Sequence, residues 1–131
     1  MKLEDFAYVV ETKHSFDDAV VSVLKAVEKK GWALFQVYDI KERLAAKGFS
    51  HQALKIIEIC SAKHADKFLN RNNLISLCMP CKINIVQDKD KVLVAGMKPG
   101  IVSQMFHEVS VEEAKLVEND IIEIINEANS T

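Results

Sequence analysis

The most constraining pattern lies near the C-terminal end, where a helix start signal precedes a long stripe of apolar residues. Ser110 and Glu113 have the spacing of a capping box, in which the two side chains satisfy backbone N–H groups at a helix start. The apolar residues that follow recur every three or four positions, at Val111, Ala114, Val117, Ile121, Ile124 and Ala128. This spacing predicts a long amphipathic helix that must bury one side.

A second helix of the same kind is predicted after Ser15, which is a favourable N-cap residue. Lys29 and Lys30 suit the negative end of its dipole, and Gly31 can adopt the left-handed conformation that ends a helix. Its apolar residues again have helical spacing, at Phe16, Ala19, Val20, Val23, Leu24 and Val27. Two long one-sided helices need a common apolar surface on which to pack.

The other segments alternate like strands or are rich in β-branched residues. Strands are predicted at residues 6–10, 32–38, 53–60, 81–87 and 91–97, and short helices at 40–47 and 62–69. The last two strands form a hairpin around Asp88-Lys89-Asp90. With no repeat and no linker, residues 1–131 are predicted to form a single α+β domain, a two-layer sandwich. It has a sheet of about five strands with a terminal hairpin, and the two long helices pack on one face.

Several predicted strands carry apolar side chains on both faces. Val9 lies opposite Tyr8 along one strand, and Leu34 lies opposite Phe35 along another. Since two long helices cover only one face, the other face needs a partner subunit, a small-molecule ligand or the shorter helices. Among these alternatives we favour a homodimer.

The composition limits the cellular setting and the partners. The net charge of −2 gives no electrostatic reason to expect binding to nucleic acid or to a membrane. Acidic residues stand where a secretory signal would be apolar, and no apolar run reaches the ~18 residues of a membrane helix. We therefore expect a cytoplasmic protein, in which the three cysteines remain thiols.

Cys78 and Cys81 form a C-x-x-C pair with Pro80 before the second cysteine. Such pairs exchange disulfides when a helix N-terminus stabilises the first thiolate. Here the pair leads into a predicted strand, so a thioredoxin-like role is not favoured.

The three cysteines also raise the question of a metal site. Structural zinc needs four ligands, and only one close cysteine pair is present. A histidine would have to complete the set, and the candidates are His51, His64 and His107. A closed zinc site is therefore not predicted, whereas an open three-ligand site or a soft metal such as copper(I) remains an alternative. No cofactor is assigned. The plain interpretation is that Cys60, Cys78 and Cys81 are buried core residues.

Two further side chains are candidates for a site. Alternation places Glu58 on the strand face of Ile56 and Cys60, where a carboxylate is costly unless it has a partner. It can also lie near the sheet edge in contact with water, or pair with Lys55. His64 is a secondary candidate because it is close to Cys60 in the sequence.

Several short stretches together resemble the domain-of-unknown-function family three-zero-two (DUF302). They are Glu58-Ile59-Cys60 before a helix, Leu77–Lys82 entering a hairpin strand, Trp32–Phe35 after a helix, and Lys98-Pro99 before the last helix. The resemblance covers nearly the whole chain. It implies a small α+β protein, often archaeal or bacterial, with a dimeric fold and no established activity.

The resemblance carries over Glu58, Cys60, Pro80 and Cys81. This sequence departs from the family pattern at Ser61-Ala62 and at Cys78, where an aliphatic residue is more usual. The second departure indicates that the C-x-x-C pair is incidental. We therefore hypothesise that strand pairing brings Glu58, Cys60 and Cys81 to one pocket at the end of the sheet.

Two classes of function follow. The first is a dimeric module that binds a small molecule, a metal or a sulfur species near Glu58, Cys60 and Cys81. The second is a thiol-based redox or sulfur-transfer enzyme that uses Cys81 or Cys60 as nucleophile. The first is favoured because no base or oxyanion site can be located beside either cysteine. Whether the protein is an enzyme stays open, and a subunit without chemistry is a third possibility.

Overall fold

The computed structural model describes residues 1–130 and contains a five-stranded sheet with helices. The strands are β1 (Ala7–Thr12), β2 (Ala33–Asp39), β3 (Leu54–Cys60), β4 (Cys81–Asp88) and β5 (Lys91–Met97). The α-helices are α1 (Leu3–Phe6), α2 (Phe16–Lys30), α3 (Ile40–Ala45), α4 (Ala62–Arg71), α5 (Val102–Met105) and α6 (Val111–Asn129). Two 3₁₀ helices span Asn73–Cys78 and Pro99–Ile101.

All neighbouring strands are antiparallel, in the order β1-β5-β4-β3-β2. The first two strands of the chain therefore form the two edges, and α2 connects one edge to the other. The predicted hairpin joins β4 to β5, and Lys89 takes a positive φ of 57° in its turn. Between β3 and β4, Ile59 lies opposite Cys81.

The long helices α2 and α6 pack together on one face of the sheet, which confirms the predicted two-layer α+β arrangement. The centre of the interface consists of isoleucine and valine side chains that are fully buried: Val23, Ile57, Ile59, Ile83, Ile85, Val94 and Ile125. Each such side chain stabilises the fold by about 1.5–3 kcal/mol relative to an exposed one. The sheet and the two helices thus share one core.

The predicted caps of both long helices are present. Ser110 Oγ accepts a hydrogen bond from Glu113 N–H at 3.1 Å, and the Glu113 carboxylate returns the capping-box contact. Ser15 Oγ accepts from Asp18 N–H at 3.2 Å, and Gly31 ends α2 with a φ of 84°.

Some predicted boundaries differ from the structure. Phe6 ends a helical turn, so β1 begins only at Ala7; Lys2 N–H donates to Asp5 and closes that turn. The helix predicted at 40–47 ends at Ala45. Val111 is 67% exposed, because the first helical residue after the cap points away from the sheet.

The second face of the sheet, which we call the open face, is not covered by α2 or α6. Val9 and Met97 lie on it and are 39% and 57% exposed. At one end it is bordered by α1, α5 and the 3₁₀ helix Asn73–Cys78, so the shorter helices frame this face rather than cover it. Among residues 1–130, no helix is both long and apolar enough to cross a lipid bilayer.

Candidate functional site

All three cysteines line one small cavity, which we call the thiol cavity. Cys60 is the last residue of β3 and Cys81 the first of β4, so antiparallel pairing brings the two strand ends together. Cys78 ends the 3₁₀ helix that precedes β4, and two residues separate it from the start of the strand. The remaining lining residues are Trp32, Ile59, Ser61, His64, Ala65, Phe68, Ile75, Met79, Pro80, Pro99, Val102 and Val117.

The thiol cavity is small and mostly apolar. Its volume is about 50 Å³, whereas a single water needs a cavity of roughly 10–15 Å³. The cavity therefore has room for only a few heavy atoms, and its volume is far below the roughly 300–1,000 Å³ of an ordinary small-molecule site.

Burial keeps the three thiols protonated. Burial raises the pKa of Cys60 and of Cys78 above the usual value for a thiol. It raises the pKa of Cys81 to about 12, with a smaller contribution in the same direction from Cys60. At neutral pH the cavity therefore presents uncharged S–H groups, not thiolates.

A carboxylate from α6 orients two aromatic side chains of the cavity. Asp120 Oδ2 accepts a hydrogen bond from Trp32 Nε1 at 3.2 Å, and His64 Nε2 lies 3.2 Å from the same oxygen. Lys30 Nζ is 3.5 Å from the other oxygen, Oδ1. The two ring centroids, of Trp32 and His64, are 6.0 Å apart. The wall of the cavity is thus tied to α6 through one polar group.

Trp32 and Asp120 were not among the site residues predicted from the sequence. The one available signal was position: Asp120 lies directly before Ile121 in the apolar stripe of α6, where a carboxylate needs a partner. The partners themselves come from β2 and α4, and nothing local in the sequence identifies them.

Glu58 does not line the thiol cavity. It lies on the part of β3 that faces away from the long helices, and its Oε1 accepts a hydrogen bond from Tyr38 Oη at 2.8 Å. That bond is the main reason why the pKa of Tyr38 is raised. The carboxylate of Glu58, whose place on an apolar strand face is unfavourable without a partner, is therefore hydrogen-bonded to a hydroxyl group on the neighbouring strand. The structure brings Cys60, Cys78, Cys81 and His64 together, and it leaves Glu58 apart from them.

Within residues 1–130, no three His, Cys, Asp or Glu side chains are grouped in a way that could hold a metal ion. A metal ion in the thiol cavity would therefore be bound by fewer than three of these side chains, whereas an open zinc site has three protein ligands.

Comparison with known proteins identifies a family and a solved structure with the same fold. The family model described as Domain of unknown function DUF302 matches residues 8–128. The crystal structure of an uncharacterized conserved protein DUF302 from Bacillus stearothermophilus superposes with a TM-score of 0.87 at 21% identity, covering 94% of this chain and 98% of that one. No curated protein is significantly similar to the chain. The chain belongs to the DUF302 family.

Proposed function

We propose that this protein is a binding module whose site is the thiol cavity and whose ligand is a small, uncharged, polarisable molecule of the sulfur class, such as hydrogen sulfide. The observation that carries the proposal is the convergence of three protonated thiols and the Met79 thioether on one cavity of about 50 Å³. Sulfur side chains are soft and polarisable, and they suit a partner of the same character.

The same geometry argues against other ligand classes. A charged ligand would lose its hydration in an apolar cavity, which is costly without a paired charge. In the part of the chain that the structure describes, His64 is the only ionisable side chain on the wall besides the cysteines, and its Nε2 already faces Asp120. A larger organic molecule exceeds the available volume.

The alternative, a thiol-based redox or sulfur-transfer enzyme, has one observation in its favour. The Asp120 carboxylate orients the His64 imidazole beside the thiols, as a third group orients the base of an activated nucleophile. The raised pKa values of the thiols weigh against it, because a nucleophilic cysteine is one whose pKa is lowered.

Alkylation rates separate the two functions. If the cavity only binds a ligand, iodoacetamide should react with Cys60 and Cys81 more slowly in the native protein than in urea. The rate in the native protein should also keep rising as the pH increases beyond the pKa of a free thiol. A rate that levels off below neutral pH in the native protein would support the enzyme and contradict neutral thiols.

Trp32 provides a direct readout of ligand binding, because it is the only tryptophan in the sequence and it lines the cavity. Sodium sulfide, titrated at mildly acidic pH where the neutral form prevails, should change its emission in a saturable way. Ala65→Leu fills the cavity and should abolish the change. Ala62→Leu is the matched control, since Ala62 is exposed on the same helix. No saturable change in the wild type, or an unchanged response in Ala65→Leu, would contradict the proposal.

Native mass spectra with and without reductant identify a ligand that purifies with the protein. The expected result is a mass adduct that is retained by the native protein and lost in Cys81→Ala. If the spectra show no adduct and sulfide does not change the Trp32 emission, the cysteines are core residues without a binding role.

We also propose that the protein is a homodimer formed along the β2 edge. Within the described residues this strand has no neighbour on one side, and Leu34 and Phe35 on it are 49% and 58% exposed. Residues 33–38 contain no charge and no proline, which are the usual protections of an edge strand, although a bulge interrupts pairing near Phe35.

In sedimentation at micromolar concentration, Phe35→Lys should be a monomer. Val21→Lys, at an exposed site on α2, should remain a dimer. A monomeric wild-type protein would contradict the proposed homodimer.

Three free cysteines fit a reducing compartment, so we place the protein in the cytoplasm. Cell fractionation with an antibody to the protein tests that placement.

A further inference from the structure

A second, larger recess lies on the open face of the sheet, and we call it the methionine pocket. Its volume is about 490 Å³, which is within the range of sites for small organic molecules. Three of the four methionines in the sequence line it, namely Met79, Met97 and Met105. Methionine is flexible and polarisable, and it adapts to apolar ligands of different shape.

Exposed apolar side chains are concentrated around this pocket. Those of Leu3, Val9, Leu77, Met97 and Met105 all line it, and each is between 39% and 80% exposed. Scattered apolar residues on a surface are ordinary, but a contiguous group around a recess marks a binding site.

The charges around the methionine pocket have one sign. Among residues 1–130, Lys82 and Lys98 are the only charged residues that line it, and no carboxylate of this range does so. Neither lysine forms an ion pair with any residue in the described range 1–130. Lys98 Nζ donates to the backbone oxygen of Glu4 at 2.7 Å, which leaves two of its three N–H donors for a ligand.

Asn84 adds an unpaired polar group to the pocket. Its Oδ1 is buried and has no hydrogen-bond partner among the described residues. Leaving such an atom unpaired costs about 1–3 kcal/mol. Because this oxygen is buried, the carboxamide offers a ligand its N–H donors, and a carboxylate can accept from them.

We propose that the methionine pocket binds an amphipathic carboxylate, an apolar chain or ring that ends in one carboxylate. The apolar part lies among the methionines, and the carboxylate is held by Lys82 and Lys98 with Asn84 as a further partner. The methionine pocket adjoins the thiol cavity but opens on the other face of the sheet, and six residues line both: Cys78, Met79, Pro80, Cys81, Pro99 and Val102. The inference does not depend on the function proposed for the thiol cavity.

Calorimetric titration with sodium octanoate and with octan-1-ol tests the proposal, because the two probes share a tail and differ in charge. Octanoate should bind at least tenfold more tightly than octanol, since hydrogen bonds between ions are stronger than those between neutral groups. In the double variant Lys82→Gln, Lys98→Gln, the affinity for octanoate should fall about tenfold, to that of octanol. The double variant Lys25→Gln, Lys89→Gln removes two exposed charges elsewhere and should bind octanoate as the wild type does.

A variant that fills the pocket tests its location. Ala95 lies opposite Val9 and Asn84 in the strand register and lines the pocket. Ala95→Phe should abolish binding of both probes while circular dichroism shows a folded protein. Cys60 lines only the thiol cavity, so Cys60→Ser should keep octanoate binding even where it alters the response to sulfide. Equal affinities for octanoate and octanol, absence of binding, or undiminished binding by folded Ala95→Phe would each overturn the proposal.

Discussion

The carboxylate of Glu118 accepts a hydrogen bond from the backbone N–H of Gly100, with an N···O distance of 3.2 Å. Glu118 is only 5% exposed, and Lys115 Nζ lies 2.8 Å from its second oxygen. Gly100 belongs to the 3₁₀ helix Pro99–Ile101, and its neighbour Pro99 lines both the thiol cavity and the methionine pocket. The bond therefore joins α6 to the wall that the two cavities share.

Gly100→Ala should destabilise the protein because there is no room for a methyl group. A Cβ at this position would lie 2.5 Å from Glu118 Oε1, so the carboxylate would have to move and lose its backbone partner. We expect a loss of about 1–3 kcal/mol in the free energy of unfolding, measured with urea.

The double-mutant cycle with Glu118→Ala shows whether this contact is the cause. In the Glu118→Ala background the clashing oxygen is absent, so Gly100→Ala should cost much less. An equal cost in both backgrounds would mean that the backbone at Gly100, not the carboxylate, is responsible.

The long helices and the hairpin could be predicted because their signals are local. The cap at Ser110, the stop at Gly31 and the apolar stripes each lie within a single segment. The hairpin turn at Lys89 likewise follows from its own sequence and that of the two adjoining strands. Such signals require no knowledge of which segments meet in space.

The setting of Glu58 could not be predicted in the same way. Alternation grouped it with Ile56, but it could not say which face of β3 the helices cover. That depends on how α2 crosses the sheet between its edges, and the Tyr38 hydroxyl that bonds to Glu58 comes from β2. The contact of Asp120 with Trp32 and His64 also joins separate elements.

The two 3₁₀ helices and α5 were missed for a different reason, whereas the short helices α3 and α4 were predicted. The 3₁₀ helices and α5 are three to six residues long, too short to show a periodic pattern. Pieces of this length are not stable alone and form only because tertiary contacts hold them. They nevertheless supply walls of both cavities, so the part of the chain with the weakest sequence signal shapes the sites.

Gly96→Ala should destabilise the core by overpacking. A Cβ at Gly96 would lie 3.2 Å from Ile121 Cγ2, 3.2 Å from Ile125 Cδ1 and 3.3 Å from the Lys82 backbone oxygen. Forced contacts of this kind cost about 1–3 kcal/mol, which urea unfolding can measure. Ile125→Val removes one of the three atoms, so Gly96→Ala should cost less in that background. A stabilising Gly96→Ala would show that α6 can shift to accept the methyl group.

Asp120→Ala should destabilise the protein and change the emission of Trp32. The indole N–H of this buried side chain would lose its acceptor at 3.2 Å, and an unpaired buried donor costs about 1–3 kcal/mol. Glu123→Ala is the matched control on the same helix. The Glu123 side chain is 60% exposed and pairs with Lys30, so its loss should cost at most about 1 kcal/mol and leave the emission unchanged. Equal costs and unchanged emission in both variants would show that the Trp32 bond contributes little.

The buried thiol of Cys81 should make stability depend on alkaline pH. In the folded protein its pKa is raised to about 12 by burial, whereas in the unfolded chain a thiol titrates near about 8.5. As the pH rises past the lower value, the unfolded state loses its proton first and becomes more favourable. The contribution of Cys81 is therefore complete below about pH 8.5 and is lost progressively as the pH approaches the folded value.

Comparison with Cys81→Ala isolates this contribution, because lysine and tyrosine titrations are common to both proteins. The alanine variant should be less stable at neutral pH, since it leaves a small cavity in the core. The difference in the free energy of unfolding, measured with urea under reductant, should then shrink by at most about 1.4 kcal/mol per pH unit above about pH 8.5. A difference that stays constant from neutral pH to about pH 10 would mean that the Cys81 thiol ionises as readily in the folded protein as in the unfolded chain. In that case burial would not hold the Cys81 thiol in its protonated form, and the thiol cavity would contain a thiolate under alkaline conditions.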